Sequence, residues 1–254
     1  VNFLKIVKRI AESKTGRSRL EFFRSMPPDW ENSEKTSALA VDLTIEQLEG
    51  EGKTVDRGVV EKEVAAIEIK YRREVHENAA TALSLLFAHL FEHHDPDLPF
   101  SSADGRDIAH LEQLKKYREQ GLGVVYLINH SSHLDEFIVA VLWQHISMGL
   151  PVFAAGHNMM AIKSIADVLM TASYVVLRKG ASGNQMAVLY NYCRSLSITG
   201  AQQGIFLEAW RGGARTRDGS LRYPRRLVTL RGALDIPGDV VIQPVAVSYS
   251  AVPE

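Results

Sequence analysis

The chain has 254 residues, of which 46% are hydrophobic and 23% are charged, enough for one large domain or two modest ones. Its 29 Lys and Arg residues and 30 Asp and Glu residues leave a net charge of -1. This balance argues against a disordered chain and against a surface built for nucleic acid. The single cysteine, Cys193, excludes an internal disulfide and a multi-cysteine metal cluster, and it favours a reducing compartment such as the cytoplasm.

The first hundred residues have the pattern of helices. Apolar residues recur at helical spacing between Phe3 and Ile10, with basic residues beside them. The basic amphipathic segment Val1–Phe23 either packs on the rest of the helical region or lies on anionic lipid. A short helix is predicted from about Glu34 to Leu48, and one long helix from about Val59 to His93. Because no stretch is apolar enough over a sufficient length to cross a bilayer, any membrane contact is predicted to be peripheral.

The pattern changes after about residue 100. A further helix is predicted from Asp107 to Gly121, and then short β-branched runs alternate with turns and helical stretches. The predicted strands are Val124–Ile128, Val152–Ala155, Tyr174–Leu177, Gly204–Leu207 and Val240–Val247. This alternation indicates an α/β fold with a mostly parallel, mixed sheet flanked by helices. We therefore predict a helical N-terminal domain at residues 1–100 and an α/β domain at residues 101–254.

The strongest candidate site directly follows the first predicted strand, at residues 129–135. If this segment turns tightly, Asp135 can accept one imidazole N–H of His130 and leave the other ring nitrogen free to act as a general base. His133 stands only two residues from Asp135 and is less well spaced for such a turn. The alternative is a loop histidine beside an aspartate that only caps the following helix, since this short interval also occurs by chance.

A second candidate follows the fourth predicted strand. Seven arginines lie between Arg211 and Arg231, opposed there only by Asp218. Guanidinium groups bind phosphate through two parallel hydrogen bonds, and the neighbouring glycines let backbone N–H groups approach an anion. The cluster indicates an anionic ligand, a solvated basic surface, or a patch that contacts anionic lipid or nucleic acid.

In combination, the two candidates resemble the glycerolipid acyltransferases, and especially the glycerol-3-phosphate acyltransferases. That family has four blocks in a fixed order, and similar blocks occur here between Gly123 and Glu254. The first block, a His, four residues and an Asp, matches His130 and Asp135. The second block matches residues 153–179, which end on Arg178 and Lys179. The third block matches Glu208 followed by Arg211, Arg215 and Arg217. The fourth block matches the apolar, proline-containing segment 243–249.

The third block departs from the usual pattern of the family. Ala209 follows Glu208 where glycine is common, and residues 212–214 separate Arg211 from Arg215. The resemblance therefore does not identify which arginine binds the phosphate.

The resemblance implies an O-acyltransferase of phospholipid biosynthesis. Its acyl donor would be acyl-coenzyme A or acyl carrier protein, and its acceptor would be glycerol 3-phosphate. His130 would be the general base and Asp135 would orient its imidazolium. Arg178, Lys179 and the arginines of the third block would hold the phosphate, and Glu208 would orient an arginine or the glycerol. No metal, no further cofactor and no nucleic acid partner are implied, and peripheral contact with the inner face of a membrane is expected.

Other functions stay open at this point. The acceptor could be lysophosphatidate or another phosphorylated molecule, and the chain could be a non-catalytic relative that binds lipid or phosphate. A different class, the zinc peptidases, is indicated only by the H-x-x-E-H pattern at residues 89–93. That short pattern is common, and histidines are also favoured at the end of a helix, so we predict no metal site.

Overall fold

The structure is a computed structural model. It describes residues 3–25, 33–90, 106–130, 135–145, 148–149, 151–156, 173–176, 181–206 and 227–247. The helices within these residues are α1 (Phe3–Ala11), α2 (Arg17–Ser25), α3 (Ser33–Gly50), α4 (Arg57–Ile67), α5 (Arg73–Leu90), α6 (Arg106–Glu119), α7 (Asp135–His145), α8 (Gly183–Ile198) and α9 (Val228–Leu234). The strands are β1 (Gly123–Ile128), β2 (Val152–Gly156), β3 (Ser173–Val176), β4 (Gln202–Phe206) and β5 (Val240–Val245). Each predicted strand is confirmed within two residues of its bounds.

The five strands form one sheet in the order β3-β2-β4-β1-β5. Every pair among these described strands is parallel, which confirms the predicted α/β class. The inner strand β1 pairs with β4 and β5, so that its last residue, Ile128, lies opposite Phe206 and Val245. Because the strands run in one direction, their carboxyl ends meet at the same edge of the sheet.

The strands β1 and β4 are buried on both faces, as is usual when helices cover a parallel sheet. Successive side chains of β1 point to opposite faces. Val125 packs in a core with apolar residues of α3, α4 and α8. Val124, Tyr126 and Ile128 pack on the other face with Leu114 of α6 and with α7. Burial on both faces explains why β1 is an uninterrupted apolar run in the sequence.

The long helix predicted from Val59 to His93 is wrong, because the structure has two helices there, α4 and α5. The chain leaves the helix at Glu68, whose backbone is extended (φ −62°, ψ 154°). Ile69 is buried, and its backbone N–H donates to the Tyr192 hydroxyl of α8 at 3.0 Å. This hydrogen bond joins residues far apart in the sequence, and helical periodicity carries no information about such a partner.

The N-terminal helices contribute to the packing around the sheet. The first of them, α1, packs against α5 and buries Val7 and Ala11. Val41 of α3 and Val64 of α4 belong to the same apolar core as Val125 of β1. The domain boundary at residue 100 remains a prediction. No helix in the described part of the chain is both long enough and apolar enough to cross a membrane.

Candidate active site

His130 and Asp135, the pair predicted from the sequence, lie together at the carboxyl edge of the sheet. His130 is two residues beyond the end of β1, and Asp135 is the first residue of α7. The imidazole Nδ1 of His130 lies 3.2 Å from Oδ2 of Asp135, which is ion-pair distance. The N–H direction falls short of a well-aligned hydrogen bond at this distance. Such alignment often improves only when substrate is bound.

The Asp135 carboxylate is enclosed by protein, whereas the imidazole remains partly accessible. The Asp135 side chain is 0% exposed and the His130 side chain is 20% exposed. A buried carboxylate is costly unless it is compensated. Here the His130 ring and the positive end of the α7 dipole both offset that cost. The arrangement can hold one ring nitrogen of His130 toward Asp135 while a small molecule reaches the ring.

An aromatic side chain packs against the imidazole from the adjacent strand. The ring centroids of His130 and Phe206 are 4.9 Å apart, and Phe206 is the last residue of β4. Phe206 in turn stacks on Phe153 of β2, with centroids 5.9 Å apart and planes 22° from parallel. Since Phe153 and Phe206 belong to the buried core, the imidazole rests on a fixed apolar surface.

A second carboxyl group, Glu136, stands beside the pair and was missed by the sequence analysis. It follows Asp135 in the first turn of α7. Burial, and then the charge of Asp135, raise the pKa of Glu136 from 4.5 to about 7. The raised pKa favours the protonated form of Glu136, which limits repulsion between the two carboxyl groups. Two adjacent acidic residues at a helix start were the available signal, but their burial was not readable from the sequence.

We expect Glu136→Gln to stabilise the protein at alkaline pH and to have little effect at acid pH. Below pH 4.5, the pKa of Glu136 in the unfolded chain, Glu136 is protonated in both the folded and the unfolded state and does not lower the unfolding free energy. As pH rises from 4.5 through 7, the unfolded state ionises first, so stability is progressively lost. The variant avoids this loss and should gain about 1–3 kcal/mol in unfolding free energy at about pH 8.

Urea unfolding at about pH 5 and about pH 8 measures this difference. The matched control is Glu119→Gln, because Glu119 is an exposed residue at the end of α6. It should change the unfolding free energy equally at both pH values. An equal effect of Glu136→Gln at both pH values would contradict the expectation.

The remaining predicted site residues lie outside the described residues. These are Arg178, Lys179, Glu208, Arg211, Arg215 and Arg217. The side chains of His89 and His93, from the pattern shared with zinc peptidases, also lie outside them. Within the part of the chain that the structure describes, no three or more His, Cys, Asp or Glu side chains are grouped so that they could hold a metal ion.

A family model described as acyltransferase matches residues 109–248, which is more than half of the chain. The chain belongs to the acyltransferase family. The matched region contains all five strands and the His130–Asp135 pair. The parallel sheet and the pair at its edge therefore belong to the acyltransferase domain.

Similar proteins include several named glycerol-3-phosphate acyltransferase. The one from Pseudomonas paraeruginosa is 30% identical over 157 residues, which are 59% of this chain and 18% of that protein. The one from Baumannia cicadellinicola is 26% identical over 157 residues, 59% of this chain and 19% of that protein. The one from Xylella fastidiosa is 27% identical over 153 residues, 58% of this chain and 17% of that protein. The match thus spans less than a fifth of the length of these curated relatives.

Proposed function

We propose that this acyltransferase moves a fatty acyl group from a thioester, on coenzyme A or acyl carrier protein, to a hydroxyl of glycerol 3-phosphate. The observation that carries the proposal is the contact between His130 and the buried Asp135 in an acyltransferase domain. The names of the similar proteins support the acceptor. The thioester is already activated, so the proposed reaction needs no metal and no further cofactor.

In the proposed reaction His130 is the general base. Its Nε2 takes the proton of the acceptor hydroxyl while the oxygen attacks the thioester carbonyl. The new C–O bond forms, the C–S bond breaks, and the leaving sulfur takes the proton back from the imidazolium. The Asp135 carboxylate faces Nδ1 and stabilises the imidazolium formed in between. Proton transfer by a positioned group of this kind contributes about 10²–10⁴-fold to a rate.

The phosphate of the acceptor is proposed to bind to basic residues that follow the strands in the sequence. Arg211 stands five residues after Phe206, the strand end that contacts the His130 ring, and Glu208 between them is proposed to orient an arginine or the glycerol. Arg215, Arg217, Arg178 and Lys179 complete the proposed set. Holding the phosphate would place a hydroxyl beside the base, which converts an encounter between two molecules into a reaction within one complex.

The test is an acyl-transfer assay with the full-length protein. Radiolabelled acyl-coenzyme A and acyl-carrier protein are each offered with glycerol 3-phosphate, lysophosphatidate or glycerol. Acylation of glycerol 3-phosphate at a higher kcat/KM than the other two acceptors is expected. Transfer only to lysophosphatidate would show that lysophosphatidate, and not glycerol 3-phosphate, is the acceptor. Binding of glycerol 3-phosphate without transfer from either donor would indicate a non-catalytic relative and overturn the proposal.

We also propose that the protein works at the inner face of a membrane and contacts it through α1 and α2. Their exposed apolar residues include Ile6 (43% exposed), Ile10 (41%) and Phe22 (37%). In α1 the exposed Ile6 and Ile10 are one helical turn apart, and Lys5 and Arg9 directly precede them in the sequence. Apolar residues bordered by basic ones suit a surface of anionic lipid.

Vesicle sedimentation with the full-length protein tests this contact. Replacing both Ile6 and Ile10 by glutamate should reduce binding to phosphatidylglycerol vesicles at least about tenfold, because apolar burial and charge attraction are both lost. The control is Val59→Glu, since Val59 of α4 is an apolar residue that is somewhat more exposed, at 51%. An equal loss with the control, or equal binding of the wild type to neutral vesicles, would reject this surface.

A further inference from the structure

Asn129, the residue before His130, ties the end of β1 to the end of β5 through its side chain. Its Nδ2 donates to the carbonyl oxygen of Val247 at 2.8 Å. Its Oδ1 accepts from the backbone N–H of Val247 at 2.6 Å. The backbone N–H of Asn129 also donates to the Val245 carbonyl at 3.3 Å. The pairing of β1 with β5 is thus continued past both strand ends by one side chain.

The two side-chain bonds form a closed ring with a single residue, Val247. A primary amide carries a donor and an acceptor side by side, as a peptide group does. Two such bonds to the same backbone residue fix the separation of the two segments and also their relative rotation. An aspartate has the same size and could accept from the Val247 N–H. It could not donate, and its charge would face the Val247 carbonyl.

The two hydrogen bonds between Asn129 and Val247 hold the backbone directly before His130. The Asn129 backbone is bonded directly to that of His130. The imidazole must meet Asp135 on one side, with Nδ1 and Oδ2 3.2 Å apart, and Phe206 on another, with ring centroids 4.9 Å apart. Asp135 is fixed by α7 and Phe206 by β4. The position of the His130 backbone therefore needs its own anchor, and Asn129 supplies one.

We propose that Asn129 is a positioning residue for His130. It acts through the backbone and the rotation of the imidazole. This inference rests on the proposed function, in which His130 is the general base. It also makes the end of β5 part of the active-site framework, because Val247 supplies both partners of the tie.

The first test is Asn129→Asp in the full-length protein, assayed with acyl-coenzyme A and glycerol 3-phosphate. A displacement of a catalytic group by about 1 Å can cost about 10²-fold in rate. We therefore expect kcat to fall about 10–10²-fold, with KM for glycerol 3-phosphate changed less than about threefold. Asn129→Ser, which keeps a shorter hydrogen-bonding group, should give an intermediate loss and serves if the aspartate variant does not fold.

The matched control is Asn191→Asp in α8. Asn191 is a buried amide, whereas Asn129 is half-buried, and the Nδ2 of Asn191 donates to the Ala187 carbonyl and to Gln47 Oε1. Its bond to Gln47 joins α8 to α3, and neither of these two bonds involves His130 or Asp135. This variant should lower the unfolding free energy while folded protein keeps its kcat. Equal losses of kcat in the Asn129 and Asn191 variants would mean that Asn129 is only structural.

A double variant separates positioning from general destabilisation. If Asn129 acts through His130, then adding Asn129→Asp to His130→Ala should not slow the residual reaction further. A further loss of the same 10–10²-fold would overturn the proposal. The double variant can be interpreted only if acyl transfer is measurable. A second readout therefore does not depend on enzyme activity.

That readout is the ¹⁵N NMR signal of the His130 ring, assigned by its loss in His130→Ala. In the wild type the neutral ring should show one tautomer, with the proton on Nδ1 facing Asp135. In the Asn129 variants it should show a mixture of tautomers. An unchanged tautomer would reject the positioning role. Should the wild type transfer no acyl group, the proposed function fails, and the NMR comparison still decides whether Asn129 positions the ring.

Discussion

Replacing His130 by alanine should lower kcat for acyl transfer to glycerol 3-phosphate by at least about 10²–10⁴-fold. The alanine removes the group that takes the hydroxyl proton in the proposed reaction. The same replacement leaves the buried Asp135 without the ring that faces it at 3.2 Å. Binding of glycerol 3-phosphate should change little, because the proposed phosphate contacts come from other residues. Steady-state kinetics and calorimetric binding measure the two effects separately.

A histidine outside the proposed site provides the control. His76 of α5 is buried, and its ring lies 5.9 Å from that of Tyr71. His76→Ala should lower the unfolding free energy, since it removes a packed side chain. The folded fraction should keep its kcat. The general-base role of His130 would be wrong if His130→Ala retained more than about a tenth of the wild-type kcat.

The sequence was informative where a local pattern coincides with burial. The strand β1 was predictable because its residues are apolar and β-branched on both faces, as a central parallel strand requires. The His130–Asp135 pair was predictable because both residues belong to the single connection between β1 and α7. Parallel strands bring such connections to one edge of the sheet, where binding sites of open α/β sheets form.

The features that the sequence did not reveal depend on partners that are distant in the chain. The break after α4 is set by the hydrogen bond from Ile69 to Tyr192. The tie at Asn129 depends on Val247, 118 residues away. The raised pKa of Glu136 depends first on burial, which the folded chain decides. Each of these features needs the packed structure, whereas periodicity and residue type describe only neighbours in the sequence.

Replacing Asp135 by asparagine should lower kcat about 10²–10⁴-fold while largely preserving the fold. Asparagine has nearly the same size as aspartate, so the packing at the start of α7 is retained. A neutral amide stabilises the imidazolium less than a carboxylate does, even when its Oδ1 accepts the Nδ1–H of His130. If its NH₂ group faces Nδ1, the ring also adopts the opposite tautomer and loses the free Nε2 that the reaction requires. A variant that kept its kcat would show that the carboxylate has no part in proton transfer.

The same variant should change the pH dependence of stability in a defined direction. The charge of Asp135 is the second cause, after burial, of the raised pKa of Glu136. Without that charge the pKa of Glu136 falls part of the way toward 4.5, and the stability lost between about pH 5 and about pH 8 becomes smaller. Burial remains, so the loss does not disappear. Urea unfolding at both pH values gives the change in unfolding free energy from about pH 5 to about pH 8. For Asp135→Asn this change should be smaller than in the wild type and larger than in Glu136→Gln. A difference as large as that of the wild type would mean that the Asp135 charge does not act on Glu136.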